Sequence, residues 1–598
     1  METMGSLRRT NYCGEVSMSN VGQEMTVCGS IARARDKGGI IFADLRDTTG
    51  ILQLVFDEDT PKDVFAKAES LKSEYVVICR GLLRERAAKT TKIATGDVEL
   101  YVSELRILSE AQTPPFEIRD DINVNDDLRL RYRYLDLRRP SMHEPIVLRS
   151  KIMQIIRSYF CDNHFTEIET PTLIKSTPEG ARDYLVPSRV QPGHFYALPQ
   201  SPQLYKQILM LSGFDRYFQI APCFRDEDAR GDRSPGEFYQ LDMEMAFATQ
   251  DDVFAVLEDV LPPIFAKYGT YNVASAAPFR RIAYNDAMET YGSDKPDLRI
   301  DLTLTDISDE VKGCGFEQID GKVVKAIAVS DCTLTRKAID QLCTDVEVQS
   351  GSKPYWFKVD ENGQLAGGIA KFMNGCREAL TAKLGLKPNM LVGVAAGDKG
   401  AAIKTAGVLR SKLGAACEGH MDKERYEFCW IVDFPMYEIG DESGELEFCH
   451  NPFSMPSGGL EVLLKAERGE IDPLTITADQ YDLVCNGVEL SSGAVRNHDP
   501  EIMIKAFELV RLGEEDVKKK FPAMYNAFCY GAPPHAGIAP GVDRMVMLLA
   551  GESSIREIIP FPMNKNAQDV MMGAPSVVEQ KQLDELHIAI VGDVEKDD

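Results

Sequence analysis

The sequence predicts a multidomain chain of mixed β and α/β architecture: a small N-terminal barrel, a larger α/β domain, and an α+β domain inserted into the larger one. Three observations lead there. The 598 residues are several times an ordinary domain length, so two or more hydrophobic cores are expected. Short alternating strands separated by turns fill the first hundred residues, whereas long helical periodicity begins only near position 140. Between positions 296 and 423 the text becomes rich in Lys, Ala and Gly, as in Ala366-Gly-Gly-Ile-Ala-Lys371 and Leu391-Val-Gly-Val-Ala-Ala-Gly397. Aromatic and acidic strand-like text returns at Phe428-Cys-Trp-Ile-Val-Asp-Phe434, as expected of a domain resumed after an insertion.

The first strand runs from Glu24, alternating apolar and polar through Arg35, and turns at Lys37-Gly38-Gly39 into Ile40–Arg46. That is a hairpin signal. Asp47-Thr48-Thr49-Gly50 turns again before Ile51–Phe56, Pro61–Lys72 has helical spacing, and Tyr75–Arg84 and Val98–Leu108 supply two more strands. Three strands, a helix and two strands match an OB-fold barrel, a fold that often binds single-stranded nucleic acid. After Pro114-Pro115 comes Arg129-Leu-Arg-Tyr-Arg-Tyr-Leu-Asp-Leu-Arg-Arg139, where five arginines face one acid. Ile146, Met153, Ile156 and Phe160 then recur at helical spacing, and Phe165–Thr170 reads as a strand ended by Pro171.

With 44% hydrophobic and 27% charged residues, and no apolar run near the roughly 20 residues that cross a bilayer, the expectation is a soluble chain without membrane partners. No apolar segment follows Arg8 and Arg9, so the start does not read as a secretory signal and a cytoplasmic location is expected. The 14 cysteines contain no Cys-x-x-Cys, which argues against zinc and against a disulfide framework; all default to structural roles. A net charge of −26 disfavours a polyanionic partner in the mean, but screening confines charge effects to about 10 Å. Residues 1–110 carry only −2 of it, which makes the barrel the less repulsive face.

Two segments carry chemistry. Phe218-Gln-Ile-Ala-Pro-Cys-Phe-Arg-Asp-Glu-Asp228, closed by Glu237-Phe-Tyr-Gln-Leu-Asp-Met-Glu244, forms a strand–loop–strand hairpin presenting Arg225, Glu227 and Phe238 together. Arginine grips phosphate bidentately and a ring stacks on a base, so the hairpin suits a nucleotide. The bland alternative is a surface ion pair Arg225–Glu227 with Phe238 in the core. In Gly537-Ile-Ala-Pro-Gly-Val-Asp-Arg-Met-Val-Met-Leu-Leu549 a glycine turn enters an apolar helix with Arg544 in its first turn, where a helix terminus favours anions.

The strand before Pro171, the Phe-Arg-Asp-Glu hairpin and Gly-Val-Asp-Arg together resemble, in order and spacing, the three signature motifs of class II aminoacyl-tRNA synthetases. Arg131-Tyr-Arg-Tyr-Leu-Asp-Leu-Arg138, Thr177-Pro-Glu-Gly-Ala-Arg-Asp-Tyr-Leu-Val186, Gln200-Ser-Pro-Gln-Leu-Tyr-Lys206 and Gly493-Ala-Val-Arg-Asn-His498 narrow the resemblance to the bacterial aspartyl-tRNA synthetase family, of subclass b, over essentially the whole chain. The resemblance implies an antiparallel class II catalytic sheet flanked by helices and a homodimer. It divides the chain into an OB-fold anticodon-binding domain (1–110), a hinge (111–140), a first catalytic part (141–295), the inserted α+β domain (296–423), and a second catalytic part with a C-terminal extension (424–598).

The implied function is ATP-dependent activation of L-aspartate and its transfer to tRNA-Asp, with tRNA-Asn left open. Carried over, Lys206 and Arg496 take the substrate's side-chain carboxylate, while Glu179, Ser201, Gln203 and Asp242 surround its ammonium. Arg225 holds the α-phosphate, Phe238 stacks on adenine, Arg544 binds the terminal phosphate, and Asp226, Glu227 and Glu489 complete the nucleotide site. Asp482 and Glu489 hold Mg²⁺, a hard ion suited to carboxylate oxygens; no zinc is expected. In the barrel, Arg35, Phe42 and Gln53 face anticodon bases, by the stacking and edge contacts through which RNA loops are read.

Two cations for one anion favour aspartate over neutral asparagine, whose amide would leave charge unpaired. Bland alternatives stand beside these roles: a solvated helix lysine for Lys206, exposed acids for Asp482 and Glu489, and a core aromatic for Phe42. The sequence also departs from the family at His450-Asn451-Pro452-Phe453, where relatives often carry two histidines, so His450 alone is a candidate substrate contact. Gly236 lengthens the hairpin loop. A synthetase-like RNA-binding protein without catalysis is the rival reading; the intact set Arg225, Asp482, Glu489 and Arg544 weighs against it.

Overall fold

The computed structural model describes residues 1–176, 180–231, 233–440 and 443–591. It divides into two compact units, Met1–His143 and Glu144–Asp598.

In the first unit, strands Glu24–Asp36, Ile41–Arg46, Ile51–Phe56, Val76–Glu85 and Val98–Ser109 close into a five-stranded barrel, with helix Lys62–Glu69 between the third and fourth. The helix is shorter than the Pro61–Lys72 pattern because Pro61, lacking an N–H, precedes it and Ser70 caps it. Gly38 and Gly39 both take positive φ, which lets the hairpin turn at the end of the first strand. Every second residue of the strands points inward, placing Val27, Ile31, Leu45, Leu54 and Leu100 in one core. The arginine-rich segment has a local role: Asp136, fully buried, accepts from Arg133 at 2.8 Å and Arg139 at 2.6 Å, and Arg129 lies at 3.1 Å. Burial alone would raise the Asp136 carboxyl, but the three guanidinium groups outweigh it and hold it below the usual range.

The second unit is built on an eight-stranded sheet. Its order is Arg280–Ala283, Phe428–Pro435, Thr477–Cys485, Val488–Val495, His535–Ile538, Gly236–Ala246, Arg216–Arg225 and Thr166–Glu167. Neighbours run antiparallel except for the pair at each edge. The predicted strand Phe165–Thr170 contracts to Thr166–Glu167, an edge pairing of only two residues. Helices Pro140–Asp162, Gln250–Tyr268 and Val542–Ala550 supply the apolar faces that complete its core, where Phe254 stacks on Trp430 at 3.9 Å.

Within the same unit a separate five-stranded antiparallel sheet, formed by Thr305–Asp306, Val323–Val329, Leu391–Gly397, Tyr355–Val359 and Leu365–Ala366, carries helices Arg336–Ser350 and Lys399–Ala416. The chain enters and leaves it side by side, with Ile300 bridged to Met421. Among the described residues no helix is long and apolar enough to cross a membrane.

Candidate active site

One face of the eight-stranded sheet opens into a cavity of about 880 Å³. Ser201, Gln203, Lys206, Arg225, Glu227, Phe238, Asp242, His450, Glu489 and Arg544 all line it. Arg496, Asp482 and Asp226 are not among the lining residues, and Glu179 lies outside the described residues.

The floor is ionic. Helix Gln203–Leu211 buries one face, on which Gln203, Lys206, Gln207 and Met210 recur at helical spacing. On strand Gly236–Ala246, Asp242 and Glu244 alternate with apolar residues and so share a face. Lys206 Nζ donates to Asp242 Oδ1 at 2.6 Å and lies 3.4 Å from Glu244 Oε2. Arg496, just beyond strand Val488–Val495, donates to Glu244 through Nε at 2.8 Å and Nη2 at 3.2 Å. All four side chains are almost wholly buried, which excludes the solvated-lysine alternative. Burial pushes the Asp242 carboxyl up despite Lys206, whereas Arg496 and Lys206 overcome burial at Glu244 and hold it down.

This quartet corrects the charge argument made from sequence. Lys206 and Arg496 do not form an uncompensated pair, because two buried carboxylates face them. Asp242 Oδ2 and Gln203 Nε2 are buried without a hydrogen-bond partner, an acceptor and a donor left for a small polar ligand. Gln207 and His535 stand behind: His535 Nε2 is 3.3 Å from Gln207 Oε1 and its Nδ1 is 2.8 Å from the Pro533 carbonyl.

The upper wall carries two arginines, Arg225 and Arg544, each beside acidic residues. Arg225 ends strand Arg216–Arg225 opposite Gly236, and its guanidinium lies 4.9 Å from the Phe238 ring centroid. Phe238 is half-buried and lines the cavity, and Glu227 pairs with Arg233 at 2.7 Å, so the bland reading of that hairpin fails on both counts. Arg182 takes Asp226 at 3.6 Å away from the cavity. Arg544, in the first turn of Val542–Ala550, donates to the Glu489 carbonyl at 2.8 Å and lies 3.6 Å from its carboxylate. Lys295 reaches the same carboxylate at 2.8 Å. Asp543, one residue before Arg544, accepts from the Tyr239 N–H at 3.2 Å and pairs with Arg149, tying the helix to the hairpin.

Asp482 lies on the strand beside Glu489 and is buried. Burial and the neighbouring Glu489 push its carboxyl well up, while Lys295 and Arg544 outweigh burial at Glu489 and hold that carboxylate down. Neither is an exposed surface acid in the ordinary sense. Glu489 lines the cavity and Asp482 lies buried beside it, and carboxylate oxygens are the donors a hard divalent cation takes, so the pair fits magnesium. His450 faces the cavity with its ring edge-on to Phe434 at 5.2 Å.

In the barrel, Arg35, Asp44 and Gln53 form one polar patch. Arg35 Nη2 donates to Asp44 at 2.8 Å and lies 3.4 Å from Gln53 Oε1. Phe42 pairs with Arg35 across the hairpin and is half-buried outside the barrel core, not part of it. Gln53 is 3% exposed, with its amide engaged by Arg86 at 2.9 Å and Glu99 at 2.7 Å, so in this structure it orients its neighbours.

Residues 125–565 match the family model described as tRNA synthetases class II (D, K and N), and residues 25–108 match that of the OB-fold nucleic acid binding domain. The chain is 49% identical over 591 residues to an aspartate–tRNA(Asp/Asn) ligase of Zymomonas mobilis, covering 97% of this chain and 98% of that one. An aspartate–tRNA ligase of Streptomyces coelicolor is 49% identical over 587 residues, again covering 97% and 98%. Among solved structures, asparaginyl-tRNA synthetase from Pyrococcus horikoshii matches with a TM-score of 0.58 at 18% identity, over 93% of this chain and 98% of that one. Aspartyl-tRNA synthetase from Entamoeba histolytica matches at 0.56 and 19%, over 93% and 92%. A nucleic-acid-binding barrel, an antiparallel catalytic sheet and near-full-length identity place the chain in one group: it belongs to the class II tRNA synthetases, in the aspartate–tRNA ligase family.

Proposed function

We propose that this synthetase activates L-aspartate with ATP and transfers it to tRNA-Asp. The observation that carries the reading is the buried quartet Lys206, Asp242, Glu244 and Arg496, of which Lys206 and Asp242 line a cavity walled by Arg225 and Arg544. Once the substrate ammonium pairs with Asp242, Glu244 balances one cation and the other remains for the side-chain carboxylate. Asparagine would leave that one charge unpaired in a buried site, where rejection is strong.

In the first step an α-carboxylate oxygen of aspartate attacks the α-phosphorus, the bond to the β-phosphate oxygen breaks, and pyrophosphate leaves. The terminal hydroxyl of tRNA then attacks the acyl carbon and AMP leaves. Arg225 takes the α-phosphate, Phe238 the adenine and Arg544 the terminal phosphate; Ser201, Gln203 and His450 orient the amino acid. Asp482 and Glu489 would hold magnesium, which supplies charge neutralisation to the phosphates when bound. The protein's contribution is positioning and fixed charge, which together account for most of the acceleration in such transfers. Arg35 and Phe42 present a cation and a ring for anticodon bases.

Aspartate-dependent ATP–pyrophosphate exchange is expected, and Lys206→Ala is expected to abolish it; undiminished exchange in that variant overturns the assignment. Aminoacylation of purified tRNA-Asp and tRNA-Asn separates the two ligase types found among the relatives. A homodimer is proposed from the exposed apolar residues Leu173, Leu185, Val190 and Phe195, and sedimentation equilibrium tests it.

A further inference from the structure

The root of the inserted sheet holds two cysteines that the synthetase reaction leaves unused. Cys332 Sγ lies 3.6 Å from Cys417 Sγ, close enough for one thiol to donate to the other. Cys332 follows strand Val323–Val329 and comes directly after Asp331, whose φ is +47°. Cys417 caps helix Lys399–Ala416, 85 positions further along the chain. Both are buried and neither is in a disulfide.

Their surroundings favour sulfur chemistry. The Cys417 thiol, the Leu334 N–H, Lys358 and His420 outweigh burial at Cys332 and hold it toward the thiolate, while Cys417 is pushed up by the same contact. His420 sets both ring nitrogens against acceptors, Asp301 Oδ1 at 2.8 Å and the Ser330 carbonyl at 3.1 Å, an arrangement that suits an imidazolium. Burial would lower its pKa, and Asp301 with Ser330 reverses this. His420, held toward its protonated form, therefore stands near the sulfur pair. Elsewhere burial prevails, raising the thiols of Cys13, Cys79, Cys429 and Cys485. A metal centre is not the alternative, since among the described residues no three His, Cys, Asp or Glu side chains are grouped to hold an ion.

We propose that Cys332 and Cys417 form a reversible disulfide, a cross-link site closed by an oxidant of the hydroperoxide class. The Cys332 thiolate attacks the distal peroxide oxygen and the O–O bond breaks, leaving a sulfenic acid at Cys332 and an alcohol, or water from hydrogen peroxide. Cys417 sulfur then attacks the Cys332 sulfur, the S–O bond breaks, and the Cys417 proton leaves with the hydroxyl as water. Two electrons pass from the sulfurs to the peroxide, and a dithiol reverses the bond by exchange. The cross-link fastens the end of helix Lys399–Ala416 beside the place where Asp301 and His420 pair at the entry and exit of the insert.

The test uses the reduced full-length protein, hydrogen peroxide as the oxidant, alkylation under denaturing conditions and peptide mass mapping. The expected product joins the peptides of Cys332 and Cys417 at two hydrogens below their summed mass, with two thiols lost per chain and both restored by dithiothreitol. In Cys417→Ser, Cys332 is expected to accumulate a dimedone-reactive sulfenic acid, while aspartate-dependent exchange stays at the parent rate. Irreversible over-oxidation of Cys332 without linkage overturns the proposal, as does linkage to other cysteines in equal yield. So does an unreacted pair at a peroxide dose that modifies exposed Cys161. The mapping of the unaltered protein decides the matter even where a variant folds poorly.

Discussion

Gly537 stands opposite Glu244 in the sheet, so close that a β-carbon on it would lie 1.9 Å from Glu244 Oε2 and 2.3 Å from the Met243 carbonyl. The glycine is the space in which the Glu244 carboxylate meets Arg496. Gly537→Ala therefore displaces the carboxylate that orients a buried guanidinium. A loss of about 3–5 kcal/mol is expected, the range for breaking a buried ion pair, and urea unfolding of the variant measures it. An unchanged midpoint would show that Glu244 is not held by this contact.

Arg225 gives the opposite pattern. It is only half-buried, and among the described residues its one hydrogen bond is a long 3.4 Å contact to the Gln200 carbonyl. Arg225→Ala is expected to lower kcat for pyrophosphate exchange by about 10²–10³, the effect of removing one preorganised charge at a transition state, with the unfolding midpoint unmoved. Stopped-flow exchange and calorimetry on the same preparation separate the two effects.

His535 makes folding sensitive to mild acid. Burial lowers its pKa below the ordinary 6.5, so the unfolded chain binds a proton that the folded chain refuses. Stability is full above pH 6.5 and falls as pH drops below it, by at most about 1.4 kcal/mol per pH unit from this group. His535→Gln is expected to flatten that slope between pH 7.5 and 5.5. Trp430 fluorescence in a Trp356→Phe background follows the relevant core, since these are the only two tryptophans.

Phe42 stands outside the barrel core, so its truncation should spare the fold. Phe42→Ala is expected to raise KM for tRNA by about tenfold, the scale of one lost base stack of 1–3 kcal/mol, while leaving exchange without tRNA unaltered. A matching drop in exchange would assign the ring a structural role instead.

The barrel was readable because short apolar strands recur between turns, with clean alternation in Ile41–Arg46, and turn glycines mark the first hairpins. That Arg225, Phe238 and Arg544 share one cavity was legible because each sits in a short segment whose neighbours carry the same chemistry. The charge balance at the floor was not. Glu244 and Arg496 meet across 252 positions, and nothing local to either residue announces the other. Its one available signal was the alternation of Asp242 with Glu244, which places two acids on one inward face of a strand. Lys295 gave no signal, since its contact with Glu489 comes from chain reversal near the insert.

The four floor charges also bear on how such a site changes over evolutionary time. Lys206, Asp242, Glu244 and Arg496 sum to zero, and any one substitution that removes a charge strands its buried partner. A lineage drifting toward a different amino acid meets a folding barrier before it meets a new preference. Change at this floor is therefore expected to occur in correlated pairs, with singly altered intermediates rare.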